Sequence, residues 1–247
     1  MKTALITGAT SGIGKATATL FAKKGYNLIL CGRREERLNN LKETLNTNIH
    51  TLVFDVRDKD AVFNAINSIP EEFKNIDILL NNAGNAHGMS KIQDGNIEDW
   101  DAMMDGNVKG LLYVTKAVLP TLIANNSGFI INIGSVAGKE VYPNGNVYCA
   151  SKHAVDALSK SMRIDLSGHN IRVSAIHPGA VETEFSEVRF KGDKEKSGNV
   201  YKGFDALQAQ DIAEIIAFVT SRPSHVNIED LVVYPTAQAN TTTLVKN

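Results

Sequence analysis

Ala4-Leu5-Ile6-Thr7-Gly8-Ala9-Thr10-Ser11-Gly12-Ile13-Gly14 is a short apolar run, then a loop with three glycines, then the first turn of a helix-length stretch, Gly12–Lys24. Gly8 can turn the chain sharply. Gly12 lets the backbone come close to a ligand, and Gly14 lets helix and strand pack closely. A helix that starts in such a loop presents free N–H groups and a positive dipole end, which suits a pyrophosphate. A glycine-rich turn alone would be weak evidence. Placed between a first strand and a first helix, it points to a dinucleotide.

Working outward, the pattern repeats. Ala4–Thr7, Asn27–Cys31, Thr51–Phe54, Ile76–Leu80, Phe129–Ile133, Arg172–Ile176 and Leu231–Tyr234 are apolar at nearly every residue, as strands buried on both faces should be. Gly12–Lys24, Arg34–Asn46, Ala61–Ser68, Asp99–Asn125, Val147–Ser167 and Asp211–Thr220 lie between them at helix length. This alternation predicts an α/β fold, a Rossmann-type doubly wound parallel sheet of about seven strands with helices on both faces. No repeat or linker divides it, so residues 1–247 read as a single catalytic domain. The long polar passage after Arg172–Ile176 reads as a substrate lobe at about 183–210.

Composition bounds the partners. The chain has 247 residues, 43% of them hydrophobic, and 26 basic against 27 acidic side chains, a net charge of −1. Such a balance disfavours nucleic acid and anionic membrane as general partners, and the apolar fraction excludes a disordered chain. Two cysteines, Cys31 and Cys149, make no disulfide framework, and no Cys/His spacing suggests a metal. Ala4-Leu5-Ile6 runs straight into Thr7-Gly8, and no apolar run nears the length of a membrane span. The expectation is a cytoplasmic protein without a signal peptide.

The second strand selects the cofactor. It ends Leu30-Cys31-Gly32-Arg33-Arg34, without the carboxylate that would bind a ribose 2′-hydroxyl. Arg33 and Arg34 offer guanidinium forks to a phosphate. Both stand at the start of a helix, where cations oppose the dipole, so an anion between them explains their position better than a solvated charge cluster. The reading is NADP(H).

Tyr148 and Lys152 lie four apart on one predicted helix and share a face. A phenol is a poor base at neutral pH. An ammonium about 4 Å away, at an effective dielectric near 20, would lower its pKa by up to ~3 units. Ser135 follows the fifth strand, thirteen residues before Tyr148, with a hydroxyl that can hold a substrate oxygen.

Gly8-x-x-x-Gly12-x-Gly14, Asn81-Asn82-Ala83-Gly84, Asn107, Ser135 and Tyr148-x-x-x-Lys152, in this order, resemble the short-chain dehydrogenase/reductase family over essentially the whole chain. The resemblance implies a catalytic tetrad of Asn107, Ser135, Tyr148 and Lys152, with Asn107 positioning a water in a proton relay. It implies cofactor contacts from Gly8, Ala9, Thr10, Ser11, Gly12, Ile13 and Gly14, with Asp55 and Val56 at the adenine. Asn81, Asn82, Ala83 and Gly84 would lie along the cofactor, beside Tyr148 and Lys152. Pro178, Gly179, Val181 and Thr183 would bound the nicotinamide. A homotetramer built on the long helices is also implied.

Tyr142-Pro143-Asn144-Gly145, Glu184–Asp193 and Tyr234-Pro235-Thr236-Ala237-Gln238 resemble the NADP-dependent 3-hydroxy acid dehydrogenases within that family. A small hydroxy acid or semialdehyde needs a cation for its carboxylate. Arg189 is the candidate, with Lys191 second. His87, in the loop after Gly84, is expected to be exposed, with a place bordering the substrate as the alternative; His153 is expected to face away from the site, and Cys149 to be a buried filler. The competing readings are a broader carbonyl or sugar reductase with the same tetrad, and an NADP(H)-sensing regulator that does no chemistry.

Overall fold

The computed structural model describes residues 1–247. In chain order, β1 (Thr3–Thr7), α1 (Gly12–Lys23), β2 (Asn27–Gly32), α2 (Glu35–Thr44), β3 (Ile49–Val53), α3 (Lys59–Asn67) and β4 (Ile78–Asn81) build the first half. There follow α4 (Ile97–Met104), α5 (Gly110–Ala124), β5 (Gly128–Ile133), α6 (Asn146–Asp165) and β6 (Ile171–Pro178). The last part holds β7 (Val181–Glu182), α7 (Phe185–Arg189), α8 (Lys194–Val200), β8 (Leu207–Gln208), α9 (Ala209–Thr220) and β9 (Asp230–Val233).

Seven strands form one sheet in the order β3-β2-β1-β4-β5-β6-β9, all parallel. Side chains alternate between faces along each strand, and the alternation divides the core in two. Ala4, Ile6, Leu28, Leu30, Leu80 and Ile131 join Phe21 of α1 and Ile212 and Ile216 of α9 on one face. Leu5, Ile29, Leu79 and Ile130 join Val62 of α3 and Val114 and Val118 of α5 on the other. Cover on both faces is why the strand interiors are mostly apolar, with polar residues such as Asn81, Asn132 and His177 gathered toward the C-terminal ends of the strands.

The strand order reverses between β1 and β4, which opens a crevice beyond their C-terminal ends. Two adjacent loops are stitched there. Thr7 Oγ1 accepts from the backbone N–H groups of Asn82 and Ala83, each at 3.0 Å. Asn82 Nδ2 donates back to the carbonyls of Thr7 and Gly8, at 3.0 and 3.2 Å.

The seven expected strands are present, shifted by up to two residues. One expected helix differs. Asp99–Asn125 is two α-helices joined by a π-helical turn at Asp105–Lys109. A Cβ at Gly110 would stand 2.8 Å from Val56 Cγ2, so the helix passes β3's exit closely. The π turn takes in an extra residue and re-aims Asn107, a placement common at functional sites. A short parallel pair, β7 with β8, frames α7 and α8 before the chain turns into α9. No helix is long and apolar enough to cross a membrane.

Candidate active site

A cleft of about 520 Å³ lies over the C-terminal edge of the sheet. It is lined by the loops after β1 to β6 and by α7. Gly8 takes φ +64°, which favours glycine, and Ser11 ends the loop without capping α1 by its side chain. The first N–H groups of α1 thus stay free for an anion. A Cβ at Gly14 would run into the Gly8 carbonyl, so only glycine lets the helix close on the strand. These features fit a dinucleotide pyrophosphate.

Most candidate residues line this cleft: Gly8, Thr10, Ser11, Gly12, Ile13, Arg33, Arg34, Asp55, Val56, Asn82, Ala83, Gly84, Ser135, Tyr148, Lys152, Pro178, Gly179, Val181, Thr183 and Arg189. Four stand behind its wall. Ala9 is fully buried, and its N–H reaches the Cys31 carbonyl at 3.1 Å. Gly14 packs under Gly8. Asn81 turns into the interior, where its Nδ2 donates to Thr115 Oγ1 and Asn132 Oδ1, both at 2.9 Å. Asn107 is buried beneath Gly84, accepting from the Asn85 N–H and donating to the Asn85 carbonyl, both at 2.8 Å.

At the β2 end of the cleft, Arg34 is already oriented. Its Nε and Nη2 meet Thr10 Oγ1 at 3.1 and 2.9 Å, and its Nη1 meets Glu184 at 2.8 Å. Glu184 also receives Arg37 at 2.6 Å, so its carboxylate joins the loop before α7 to α2. Arg33 is more exposed and stands 3.5 Å from Asp55. Glu184 falls in the Glu184–Asp193 segment, but its pairing with Arg34 and Arg37 does not show in sequence, because it crosses some 150 residues of chain.

At the other end, Tyr148 and Lys152 project from one face of α6, and both are buried. Lys152 Nζ donates to the Ile133 carbonyl at 2.9 Å and stands 6.0 Å from the centre of the Tyr148 ring. The expected lowering of the phenol by Lys152 is therefore overturned. Burial first, and then Tyr142, pushes Tyr148 above its ordinary value, against smaller pulls from Ser135 and Arg189. Desolvation acts on the lysine too and brings it down to about 8. A phenol that stays protonated beside the Ser135 hydroxyl is a ready proton donor to a substrate oxygen.

Lys152 also has a stability consequence. Below pH 8 the lysine is charged in both folded and unfolded states, and the cost of burying that charge is fully present. As pH rises from 8 to 10.5 the folded state gives up the proton first, and the cost disappears. A Lys152→Met variant is expected to be more stable than wild type at pH 7 by up to about 3 kcal/mol. The unpaired Ile133 carbonyl offsets part of this. Urea unfolding of both proteins checks it, because the gap should close above pH 10; a gap that is absent at pH 7 or constant with pH would refute it.

Arg189 reaches the same place from α7. Its guanidinium lies 5.5 Å over the Tyr142 ring and 5.6 Å over the Tyr148 ring, and its Nε donates to the Gly88 carbonyl at 3.3 Å. Lys191, the second candidate, is instead neutralised by Asp99 at 3.0 Å and largely exposed. His87 is half-buried rather than exposed and borders a second cavity of about 510 Å³ next to Arg189. His153 is exposed, its Nδ1 2.9 Å from the Cys149 carbonyl, and Cys149 is buried. Gln238, near the C-terminus, accepts from the Ala180 N–H at 2.9 Å and so props the Pro178–Ala180 turn.

The family model for short chain dehydrogenases matches residues 2–194. Sulfoacetaldehyde reductase 2 of Chromohalobacter salexigens is 49% identical over 238 residues, 95% of this chain and 94% of that protein. The NADP-dependent 3-hydroxy acid dehydrogenase YdfG of Escherichia coli K12 is 46% identical over 236 residues, 95% of each. Among solved structures, a closed form of serine dehydrogenase complexed with NADP+ is similar over 99% of both chains, with TM-score 0.94 and 45% identity.

Proposed function

The chain belongs to the short-chain dehydrogenase/reductase family and is an NADP-dependent oxidoreductase of CH–OH groups, and from that premise we propose that its substrate is a small acid bearing a 3-hydroxyl or the matching semialdehyde. L-Serine, allo-threonine and the 3-hydroxypropionate/malonic semialdehyde pair typify the class. One observation carries this reading: the Arg189 guanidinium stands over the Tyr148 ring, next to where the substrate oxygen would sit. A cation held there by two aromatic faces and a carbonyl favours a substrate with an anionic group near its reacting carbon.

In this reading Ser135 and Tyr148 hold the substrate oxygen. Tyr148 gives that oxygen a proton in reduction and takes it in oxidation, while Lys152 holds the Ile133 carbonyl and stands by the relay from Asn107. NADP(H), when bound, supplies or accepts the hydride. Gly8 to Gly14, Arg33, Arg34, Asp55, Val56, Asn81 to Gly84, and the Pro178–Thr183 wall bind and orient it. The assignment of one catalytic domain, with its substrate lobe at about 183–210, a homotetramer and a cytoplasmic location belongs to the same proposal.

A sulfonate would satisfy Arg189 as well as a carboxylate does, and one relative's name specifies sulfoacetaldehyde. NADPH consumption or production with a panel of carboxylates, sulfoacetaldehyde, and uncharged alcohols and aldehydes tests the class. Faster turnover of the uncharged set would overturn it in favour of a general carbonyl reductase. Arg189→Ala is expected to raise KM for the anionic substrates by roughly 10- to 100-fold, the worth of one hydrogen-bonded charge pair. It should leave uncharged substrates little changed. An unaltered KM for the anionic substrates would remove Arg189 from the site.

A further inference from the structure

Behind the loop that carries Ser135, four elements bring charged groups together. Lys139 donates to Asp156 of α6 at 2.7 Å and to Asp230 of β9, and Asp156 also receives Lys160 at 2.7 Å. His177 of β6 faces this cluster and is fully buried. Its Nε2 lies 3.6 Å from Asp156 and 3.5 Å from Asp230 Oδ1, at the limit of hydrogen bonding, and neither Nε2 nor that carboxylate oxygen has another partner. Its Nδ1 lies 3.2 Å from the backbone carbonyl of Ser135.

A carbonyl only accepts, so that bond requires the proton on Nδ1. A neutral ring then turns a bare Nε2 toward two carboxylates, which would ordinarily draw the proton to their side. Lys139 sits on Asp156 and on the other oxygen of Asp230 and weakens that pull. Burial, and then Lys139, also disfavours a second proton, against weaker support from Asp230, the Ser135 carbonyl and Asp156.

The ring does more than accept this placement. A Cβ at Gly134 would collide with the imidazole, so the ring lies against the bare backbone of that residue. On one side of Gly134 is Ile133, whose carbonyl receives Lys152 Nζ. On the other is Ser135, whose carbonyl receives His177. Two of the four tetrad residues thus depend on one three-residue stretch that this ring supports.

We propose that His177 is a positioning residue: with its proton on Nδ1, a tautomer set by the Ser135 carbonyl and tolerated by the Lys139–Asp156–Asp230 ion cluster, it fixes the 133–135 backbone that places Ser135 and anchors Lys152. This rests on the tetrad reading above. A misplacement of about 1 Å in such a site can cost on the order of 100-fold in rate. His177→Leu, which removes the donor but keeps bulk, is therefore expected to lower kcat by about 10- to 100-fold with KM for NADPH little changed. His177→Asn, whose amide can still donate to the Ser135 carbonyl, should restore most of the loss. Nitrogen NMR of the wild-type imidazole, assigned by its loss in His177→Asn, should find Nδ1 protonated and Nε2 bare at neutral pH.

Wild-type turnover in His177→Leu, equal impairment in both variants, or a proton on Nε2 would each overturn the proposal. The NMR result decides it even where the leucine variant does not fold. Tyr148→Phe run alongside separates the two levels. If it keeps turnover the tetrad reading fails and this inference with it; if it is inactive while His177→Leu is not, only this inference fails.

Discussion

A Tyr148→Phe variant is expected to turn over about 100- to 10,000-fold more slowly than wild type, the usual worth of a positioned general acid–base, while still binding NADPH. The substitution removes one oxygen and little else. The Tyr148 ring packs 5.7 Å from Phe185 within a small apolar cluster that includes Met103 and Cys149, and phenylalanine fills the same space. Folding should be preserved, and the loss should fall on kcat and kcat/KM alike, because the missing proton transfer belongs to the transition state. Burial holds the phenol above its ordinary pKa in the free protein, so the wild-type group stays protonated through the neutral range. Reduction, which needs the protonated form, should therefore be nearly flat in pH there. Oxidation, which needs the phenolate, should rise with pH. Steady-state rates in both directions from pH 6 to 9, with NADPH binding followed by fluorescence, check both statements; appreciable turnover by the variant would remove Tyr148 from its role.

The difference between the expected and observed state of Tyr148 shows where sequence reasoning stops. The interval of four between Tyr148 and Lys152 sets a shared helix face, and that is local geometry the sequence carries in full. Where the ammonium points is decided by a carbonyl on another strand, that of Ile133, which no spacing reveals. The same division runs through the molecule. The strands were legible because both faces of the sheet are covered and each strand had to be mostly apolar. The break of the expected Asp99–Asn125 helix was not, because it lies where Gly110 packs against Val56, residues far apart in the chain. The glycine loop and the residues after each strand announced themselves by position. Glu184 and Gln238 fall in segments that carry the subgroup resemblance, but their contacts, like that of His177, do not show in sequence, since each matters through a long-range partner: Arg34, the Ala180 N–H and the Ser135 carbonyl. Asn81 stands at the limit: the rest of its segment lines the cleft, yet it is turned inward by its hydrogen bonds to Thr115 and Asn132.

Arg34 should matter more than Arg33 in choosing the cofactor, and the structure says why. Arg34 is held by Thr10 on two nitrogens and by Glu184 on the third, so a phosphate meets a guanidinium that has already lost its freedom. Arg33 is 60% exposed and leans on Asp55 at 3.5 Å, and must be ordered when the phosphate arrives. A charge-assisted hydrogen bond is worth about 1.5–3 kcal/mol, toward the lower end for groups that solvent reaches. Arg34→Ala is thus expected to weaken NADPH binding by roughly 10- to 100-fold, Arg33→Ala by less, and neither should weaken NADH. The double variant should approach the product of the two unless the arginines share one phosphate oxygen, in which case it will fall short. Gly32→Asp tests the same site from the opposite direction. Its Cβ would stand 3.0 Å from Thr10 Cγ2, which carries the new carboxylate toward Arg34 and against a 2′-phosphate, so preference should move to NADH. The phosphate's own titration supplies a control: its second charge is lost near a pH of about 6, so wild-type discrimination should narrow below that pH and the variants' should not. Equal weakening of both dinucleotides by Arg34→Ala would mean that Arg34 supports the loop and does not read the phosphate. The net charge of −1 reveals none of this, because in the proposed reading the discrimination resides in two guanidinium groups at the tip of β2 and in the partners that hold one of them still.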